Sequence, residues 1–365
     1  MTPQTDVYLH ACDCRTALGN AHESWQGLVD GKIALRAMPP LPGSDDAVPL
    51  ALTGNLADCD PPRWLEPCLE LLASVPQRAW GDARHPIVIT SSNFGIDQML
   101  AFHQQGHAHY REQATAVSAV QAFATRLNWG GNRTIISNAC VSAQLGLIHA
   151  QRLLENDLAD EALVFSFDYL SHFVVGGFHS LKILNNDFPQ PYAARETGSI
   201  GLGDGTGFAL LSRQPSPFRI AASSSYSEFH HMTGNDPSGS GFNAVVAPLA
   251  AVLDGAPAWV KGHGTGTLEA ARLEAAATAK AFPKAPLVSW KGSLGHTLGS
   301  CGLVELAIAL ESMRQGRAPG NVGSSAPYCS ANVQAEAFST KNYQAAVLLS
   351  SAFGGAHAGH LITHE

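Results

Sequence analysis

The chain has 365 residues, of which 14% are charged and 45% hydrophobic, with a formal net charge of -8. Soluble domains usually carry roughly 25% charged residues, so a charge-rich disordered chain and a Glu/Lys/Arg heptad coiled coil are both excluded, and the negative balance argues against a general nucleic-acid binder. The missing charge is replaced by 35 Gly, 21 Pro and 16 His with many Ala and Ser, and so sparse a surface predicts a charge-poor contact with another subunit.

Strands and helices alternate along the chain, which predicts an α/β class. Val7–Ala11 reads as a short strand and His22–Asp30 as an amphipathic helix with Trp25, Leu28 and Val29 inward. The Pro-rich stretch from Met38 to Pro62 reads as a long surface excursion. Strands follow at His85–Thr90, Arg133–Ser137 and Glu161–Asp168, with a helix over Val141–Leu154. Phe218–Ser227 reads as a strand that opens a second half, dividing the chain into 1–217 and 218–365. That half continues with a helix (Val245–Leu253), a strand (Ala258–Lys261), an Ala-rich helix (Glu269–Phe282) and a strand (Leu287–Trp290). A helix (Leu303–Met313) and a strand (Gln344–Ser351) complete it. Both halves alternate similarly, without visible sequence repetition.

Met1–Cys14 has no Lys or Arg before its apolar stretch, so no secretory signal is expected. The longest weakly charged run, Tyr343–Ile362, is broken by Gly354, Gly355, His357, Gly359 and His360 and predicts two strands around a glycine turn rather than a membrane span. The cysteines (Cys12, Cys14, Cys59, Cys68, Cys140, Cys301, Cys329) are odd in number and form no CxxC pair, as expected of reduced thiols in a cytoplasmic protein. His103, His107 and His109 lie close together, but lack companion carboxylates or cysteines, so no metal site is assigned.

Four polar-glycine loops carry possible chemistry. In Ser137-Asn-Ala-Cys140-Val-Ser-Ala, Cys140 stands between a strand and a helix, where the helix N-terminus stabilises a thiolate nucleophile. The alternative is a buried structural cysteine. In Val260-Lys-Gly-His263-Gly-Thr-Gly-Thr267 a strand delivers His263 into a turn open to a ligand, or into a turn whose threonines merely cap the next helix. Lys291-Gly-Ser-Leu-Gly-His296 repeats the plan and reads as a catalytic loop, a phosphate-type loop or a plain turn. Ser350-Ser-Ala-Phe353-Gly-Gly355 is a strand end suited to a hairpin or an oxyanion turn. One Cys and two His on strand-end loops together make an acyl-transfer constellation.

This combination resembles the β-ketoacyl-acyl-carrier-protein synthases of the thiolase fold, over nearly the whole chain. Leu18-Gly19-Asn20, Asn138-Ala-Cys140-Val-Ser-Ala, Pro191-Tyr-Ala-Ala-Arg195…Gly203-Asp-Gly205, His263-Gly-Thr-Gly-Thr267 with Glu274, Lys291…Gly295-His296 and Phe353-Gly-Gly355 are similar to that family's motifs in order. The resemblance implies a five-layered α/β/α/β/α fold of two duplicated halves, working as a dimer. It also implies that Cys140 accepts an acyl chain from an acyl carrier protein. His263 and His296 then assist decarboxylation of a malonyl-type extender, and the enolate attacks the acyl-Cys140. It further implies an oxyanion hole and gate at Cys140, Phe353 and Gly354. Lys291 becomes a positive charge near His296, and Glu274 a carboxylate orienting the Lys291 or His loop. No bound organic cofactor is implied; phosphopantetheine arrives on the carrier protein.

The chain departs from the family at Ala270-Ala271, Ser293 and Ala356-His357, and is short between Ser227 and Trp259. These departures suit polyketide or aryl-polyene synthesis. They also suit a non-catalytic or chain-length-determining subunit paired with a second ketosynthase, as homodimer gives way to heterodimer. Cys140 speaks for the active reading. His296 distinguishes the chain from starter synthases, which use Asn there. Ala352-Phe353 distinguishes it from thiolases, and Cys301 reads as packing. Phe94, Met99 and Phe102 are expected near a subunit face and pocket, His230-His231 and His360 in loop or pocket positions, and His357 within reach of the site.

Overall fold

The computed structural model describes residues 5–56, 62–324 and 327–365, so Cys59 lies outside the described residues. Ten strands form the main sheet. Five come from the first part of the chain: Tyr8–Arg15 (β1), Ile87–Thr90 (β2), Arg133–Ile136 (β3), Glu161–Asp168 (β4) and Gly205–Ser212 (β5). Five come from the second: Phe218–Ser227 (β6), Ala258–Lys261 (β7), Leu287–Val288 (β8), Ala345–Ala352 (β9) and Ala356–His364 (β10). The spatial order is β8-β7-β9-β10-β6-β1-β5-β4-β2-β3.

This order contains a duplication. Read in space from the outer edge to the seam, each five gives its third, second, fourth, fifth and first strand in chain order. The directions repeat as well: the first three strands of each row run parallel and the last two antiparallel. The fives meet at a seam of two residue pairs, Tyr8 with Arg219 and Leu9 with Phe218.

Helices fill the layers around them. Ala21–Val29 (α1) starts in a capping box, in which Asn20 accepts the Glu23 N–H and the Glu23 carboxylate accepts the Asn20 N–H. Leu65–Leu72 (α2) and Ala116–Leu127 (α3) share a core with β2 and β4 through Trp64, Phe123, Phe165 and Phe167. Ser142–Glu155 (α4) and Cys301–Gln315 (α5) pack against strands of both fives, forming the middle layer. Ser240–Leu253 (α6) and Leu268–Ala281 (α7) cover the second five through Val245, Leu249, Ala271 and Ala275. The layers run helix, strand, helix, strand, helix, the thiolase-like arrangement that the resemblance implies.

The middle layer explains much of the Gly and Ala content. Every residue from Cys301 to Met313 is buried. A Cβ on Gly302 would lie 3.0 Å from the Ala143 Cβ, and one on Gly146 would lie 2.7 Å from the Thr90 methyl. Small residues let helix meet helix and sheet at close range, where dispersion contacts are densest.

The structure differs from the sequence reading in several elements. The excursion after Met38 contains Val48–Ala51, a buried strand of a small sheet with Arg36–Met38 and Leu202–Gly203. Alternate burial failed as a signal because all four residues face protein. The strand read at Leu287–Trp290 is short, since Lys291–Leu294 already turns helically. The first strand extends to Arg15, well beyond Ala11. The Tyr343–Ile362 run is indeed two antiparallel strands around Gly354-Gly355. Replacing Gly302 by Val is expected to force α4 and α5 apart at a cost of about 1–3 kcal/mol, read as a lower midpoint of urea unfolding.

Candidate active site

The duplication places chemistry at equivalent points. Cys140 follows β3 and precedes α4; His296 follows β8 and precedes α5. The two middle-layer helices thus bring their N-terminal ends, one bearing a thiol and the other preceded by an imidazole, to one cavity. That cavity, about 170 Å³, is lined by Cys140, His263, His296, Ser351 and Phe353, among others. His263 reaches it from the end of β7, and Phe353 from the β9–β10 turn.

The Cys140 turn is tight. Ala139 has φ +43, a left-handed conformation unusual for a residue with a Cβ. Ser142 pins the turn by accepting the Asn138 N–H at 2.8 Å and donating to the Ala139 carbonyl at 2.7 Å. Contrary to the expectation from its helix N-terminus, the Cys140 thiol is pushed well above its ordinary value. Burial is the main cause, the neighbouring Cys301 adds to it, and the charge of Lys291 offsets only part. Desolvation outweighs the helix dipole, so the resting group is the thiol. Cys301 is buried and its Sγ lies 3.3 Å from the Cys140 carbonyl oxygen, bracing the turn.

The two imidazoles meet edge to face, with ring centroids 5.0 Å apart. Burial lowers both well below the usual imidazole range, with Lys291 reinforcing the shift in each. Both are therefore neutral, each with one N–H donor and one acceptor nitrogen. Neither His296 nitrogen and not the His263 Nδ1 has a hydrogen-bond partner, although all three atoms are buried. Buried polar atoms are rarely left so, and here they flank the cavity.

Glu274 settles which loop it holds. Its carboxylate accepts the N–H groups of His263 at 2.5 Å and Gly264 at 3.0 Å, and the Tyr192 hydroxyl at 2.6 Å. It orients the His263 loop and not Lys291. Lys291 pairs instead with Glu305, which also pairs with Lys261; all three are buried. Burial and the charge of Lys291 outweigh Glu305 at Lys261, leaving it below the ordinary lysine value, at about 8. At Lys291 burial is again the largest single influence, but Glu305, Cys301 and the Lys261 contact together overcome it and raise the group. Two ammonium groups around one carboxylate leave a positive potential behind the imidazoles.

The gate differs from expectation in one respect. Gly354 donates its N–H to the Met232 carbonyl at 2.8 Å, so it is not a spare oxyanion donor. Phe353 is half exposed and its ring lies 6.4 Å from that of Phe178 across the cavity mouth. Of the departures, Ala270 lines the cavity, while Ser293 donates to the Lys32 carbonyl at 2.6 Å, outside it. Arg195 lies 3.8 Å from Asp187 on the surface.

Sequence reasoning missed Glu305, Lys261, Asp168 and Ser351. Asp168, at the end of β4, accepts from the Ser91 hydroxyl and from the N–H groups of Ser92 and Asn93. Burial still raises it, to about 6. Its contacts tie the loop after β2 to the end of β4. Among the described residues no group of His, Cys, Asp and Glu is placed to hold a metal ion. His107 and His109 stack on each other at 5.8 Å.

Residues 218–325 match the family model of the β-ketoacyl synthase C-terminal domain. The strand order and the layers are those of the thiolase-like fold, and the matched segment carries His263 and His296. Among curated proteins it is similar to the tetracenomycin polyketide synthase ketoacyl synthase alpha subunit of Streptomyces glaucescens, at 26% identity over 62% of this chain. The matched region is 58% of that relative's length. Among solved structures it is similar to a ketosynthase in complex with its chain length factor from Xenorhabdus doucetiae, with TM-score 0.81, 24% identity and all of both chains covered. It is also similar to a β-ketoacyl synthase from Burkholderia phymatum, with TM-score 0.82, 21% identity, and 99% of this chain and all of that one covered.

Because alkylation needs the thiolate, a thiol held high keeps gaining reactivity as pH rises. Iodoacetamide labelling of Cys140, mapped by mass spectrometry, is expected to climb steadily through pH 9. A plateau near neutral pH would show a stabilised thiolate instead.

Proposed function

We propose that the chain catalyses decarboxylative Claisen condensation between an acyl group on Cys140 and a malonyl-type extender on acyl carrier protein. The setting is fatty-acid or polyketide-type synthesis, aryl polyenes included. The observation that supports this most is the convergence of Cys140 with two neutral imidazoles whose buried nitrogens lack partners.

In the first step the Cys140 sulfur attacks the carrier's thioester, its proton passing to a neutral imidazole as the pantetheine thiol leaves. The extender then enters on a second carrier. Ring N–H groups of His263 and His296 donate to its thioester carbonyl. Loss of carbon dioxide leaves an enolate, whose charge these donors and the positive potential of the Lys261–Glu305–Lys291 cluster stabilise. The enolate carbon attacks the acyl-Cys140 carbonyl, backbone N–H groups of Cys140 and Phe353 take the developing oxyanion, and the Cys140 sulfur leaves. Phosphopantetheine belongs to the incoming partner, and the chain needs no organic group of its own. The described cysteines are free thiols and no described helix is long and apolar enough to cross a membrane, in keeping with a cytoplasmic enzyme.

A second subunit is part of the proposal. Strand β3 ends the main sheet with one edge open, and its Ile135 is exposed. Such an edge is a template for pairing with another chain. The partner is a second copy or a sister ketosynthase. The raised Cys140 thiol favours one alternative, a non-catalytic or chain-length-determining subunit whose cavity shapes its partner's product.

Incubation with acylated carrier protein followed by intact mass measurement is expected to show an acyl adduct on Cys140, absent in Cys140→Ala. No adduct on a correctly assembled chain overturns the condensing role, and full product formation by Cys140→Ala with its partner supports the alternative. His296→Ala is expected to lower extender decarboxylation by about 10²–10³-fold. Ile135→Asp is expected to shift the sedimenting species from dimer to monomer at micromolar concentration; a wild-type monomer there counts against the paired form.

A further inference from the structure

A second hydroxyl-imidazole-carboxylate series reaches the same cavity from the opposite side of the gating turn. Ser351, on β9, lines the cavity. Directly across the β9–β10 ladder from it stands His357. The Ser351 Oγ lies 2.9 Å from His357 Nδ1. On the far side of the ring, Nε2 lies 3.7 Å from a carboxylate oxygen of Glu228, at the end of β6. His357 is 2% exposed and Glu228 5%. The other Glu228 oxygen and the His357 Nε2 are buried without a hydrogen-bond partner.

The surrounding backbone is shaped to admit this pair. A Cβ on Gly241 would lie 2.5 Å from Glu228 Oε2 and 2.6 Å from His357 Nε2. A Cβ on Gly355, in the gating turn itself, would lie 2.5 Å from Glu228 Cγ. Phe242 closes the site edge-on against the imidazole at 4.6 Å. The Asp236 N–H holds Glu228 Oε1 at 2.9 Å, aiming the carboxylate. Burial keeps His357 below the usual imidazole range, hence neutral and able to accept a proton.

The geometry points to Ser351 as a second nucleophile, activated by His357 and Glu228, that takes acyl chains from thioesters in this cavity and releases them to water. The roles are those of a nucleophile, a base in contact with it and a group orienting the base. Ser351 Oγ attacks the thioester carbonyl while its proton moves to His357 Nδ1. The C–S bond breaks, and the departing sulfur takes that proton, leaving an acyl-Ser351 ester and a free thiol. Water then attacks the ester, giving its proton to His357. The C–O bond to Ser351 breaks, Oγ recovers the proton, and a carboxylic acid departs. Glu228 compensates the imidazolium in both halves. The inference stands on Ser351 and does not require Cys140 to condense anything.

The test uses an alkyl fluorophosphonate on the full-length protein, with the adduct mapped by peptide mass spectrometry. A modified Ser351 is expected, lost in Ser351→Ala. His357→Gln is expected to slow labelling by about a hundredfold, and Glu228→Gln by less. Should His357→Gln fail to fold, the wild-type pH profile replaces it. Labelling is then expected to be level at neutral pH and to fall only on acidification below the usual imidazole range, as the imidazole takes a proton. The absence of a Ser351 adduct overturns the inference. So does an adduct whose rate ignores both His357 substitution and acid. Neither outcome touches the Cys140 adduct experiment, so the two readings fail separately.

Discussion

The close contact between the two middle-layer helices is the constraint on which the rest of this molecule depends. Gly302 against Ala143, and Gly146 against Thr90, leave no room for a further carbon. Helices packed that tightly and entering from duplicated positions must start near one another. Cys140 leads into one and His296 into the other. The site is thus assembled by packing in the centre of the protein, with loops from β7 and the β9–β10 turn closing over it. Precision of this kind comes from rigid elements rather than from mobile loops.

Burial that tight sets the electrostatics. Removing water raises the thiol and lowers both imidazoles, so every group at the centre rests neutral. The charge is placed one layer behind, where Glu305 joins Lys261 and Lys291. A buried cluster with an excess ammonium is costly to form. It is tolerable where a negative charge appears transiently in front of it. The arrangement resists charge on the resting site and would favour a negative charge formed in front of it.

Much of the site was legible because its signals are local. Cys140, His263 and His296 each sit in a short run of glycines and small polar residues between a strand and a helix, and such runs announce themselves. The Phe353-Gly-Gly turn did too. Glu305 was not legible, because a single carboxylate within the apolar run of α5 carries no local signal until that helix is seen buried all round. Ser351, His357 and Glu228 come together only through strand pairing. Duplication left no trace in residue identity, yet it is plain in strand order and direction. Helix α3 was overlooked although Ala119, Val120, Phe123 and Ala124 fall on one buried face. Val117, exposed beside them, blurs the period.

The narrow seam between the two fives has a consequence for how the chain reaches its native state. Two residue pairs cannot hold the halves together; the shared middle layer does. The first five strands are complete at Ser212, but α4 then lacks its companion until Cys301–Gln315 has been made. A nascent chain emerging from the ribosome therefore carries an apolar helix face bare for the synthesis of roughly a hundred further residues, several seconds at ordinary translation rates. The protein folds in earnest only near its end, and during that interval its first half is a natural client for chaperones.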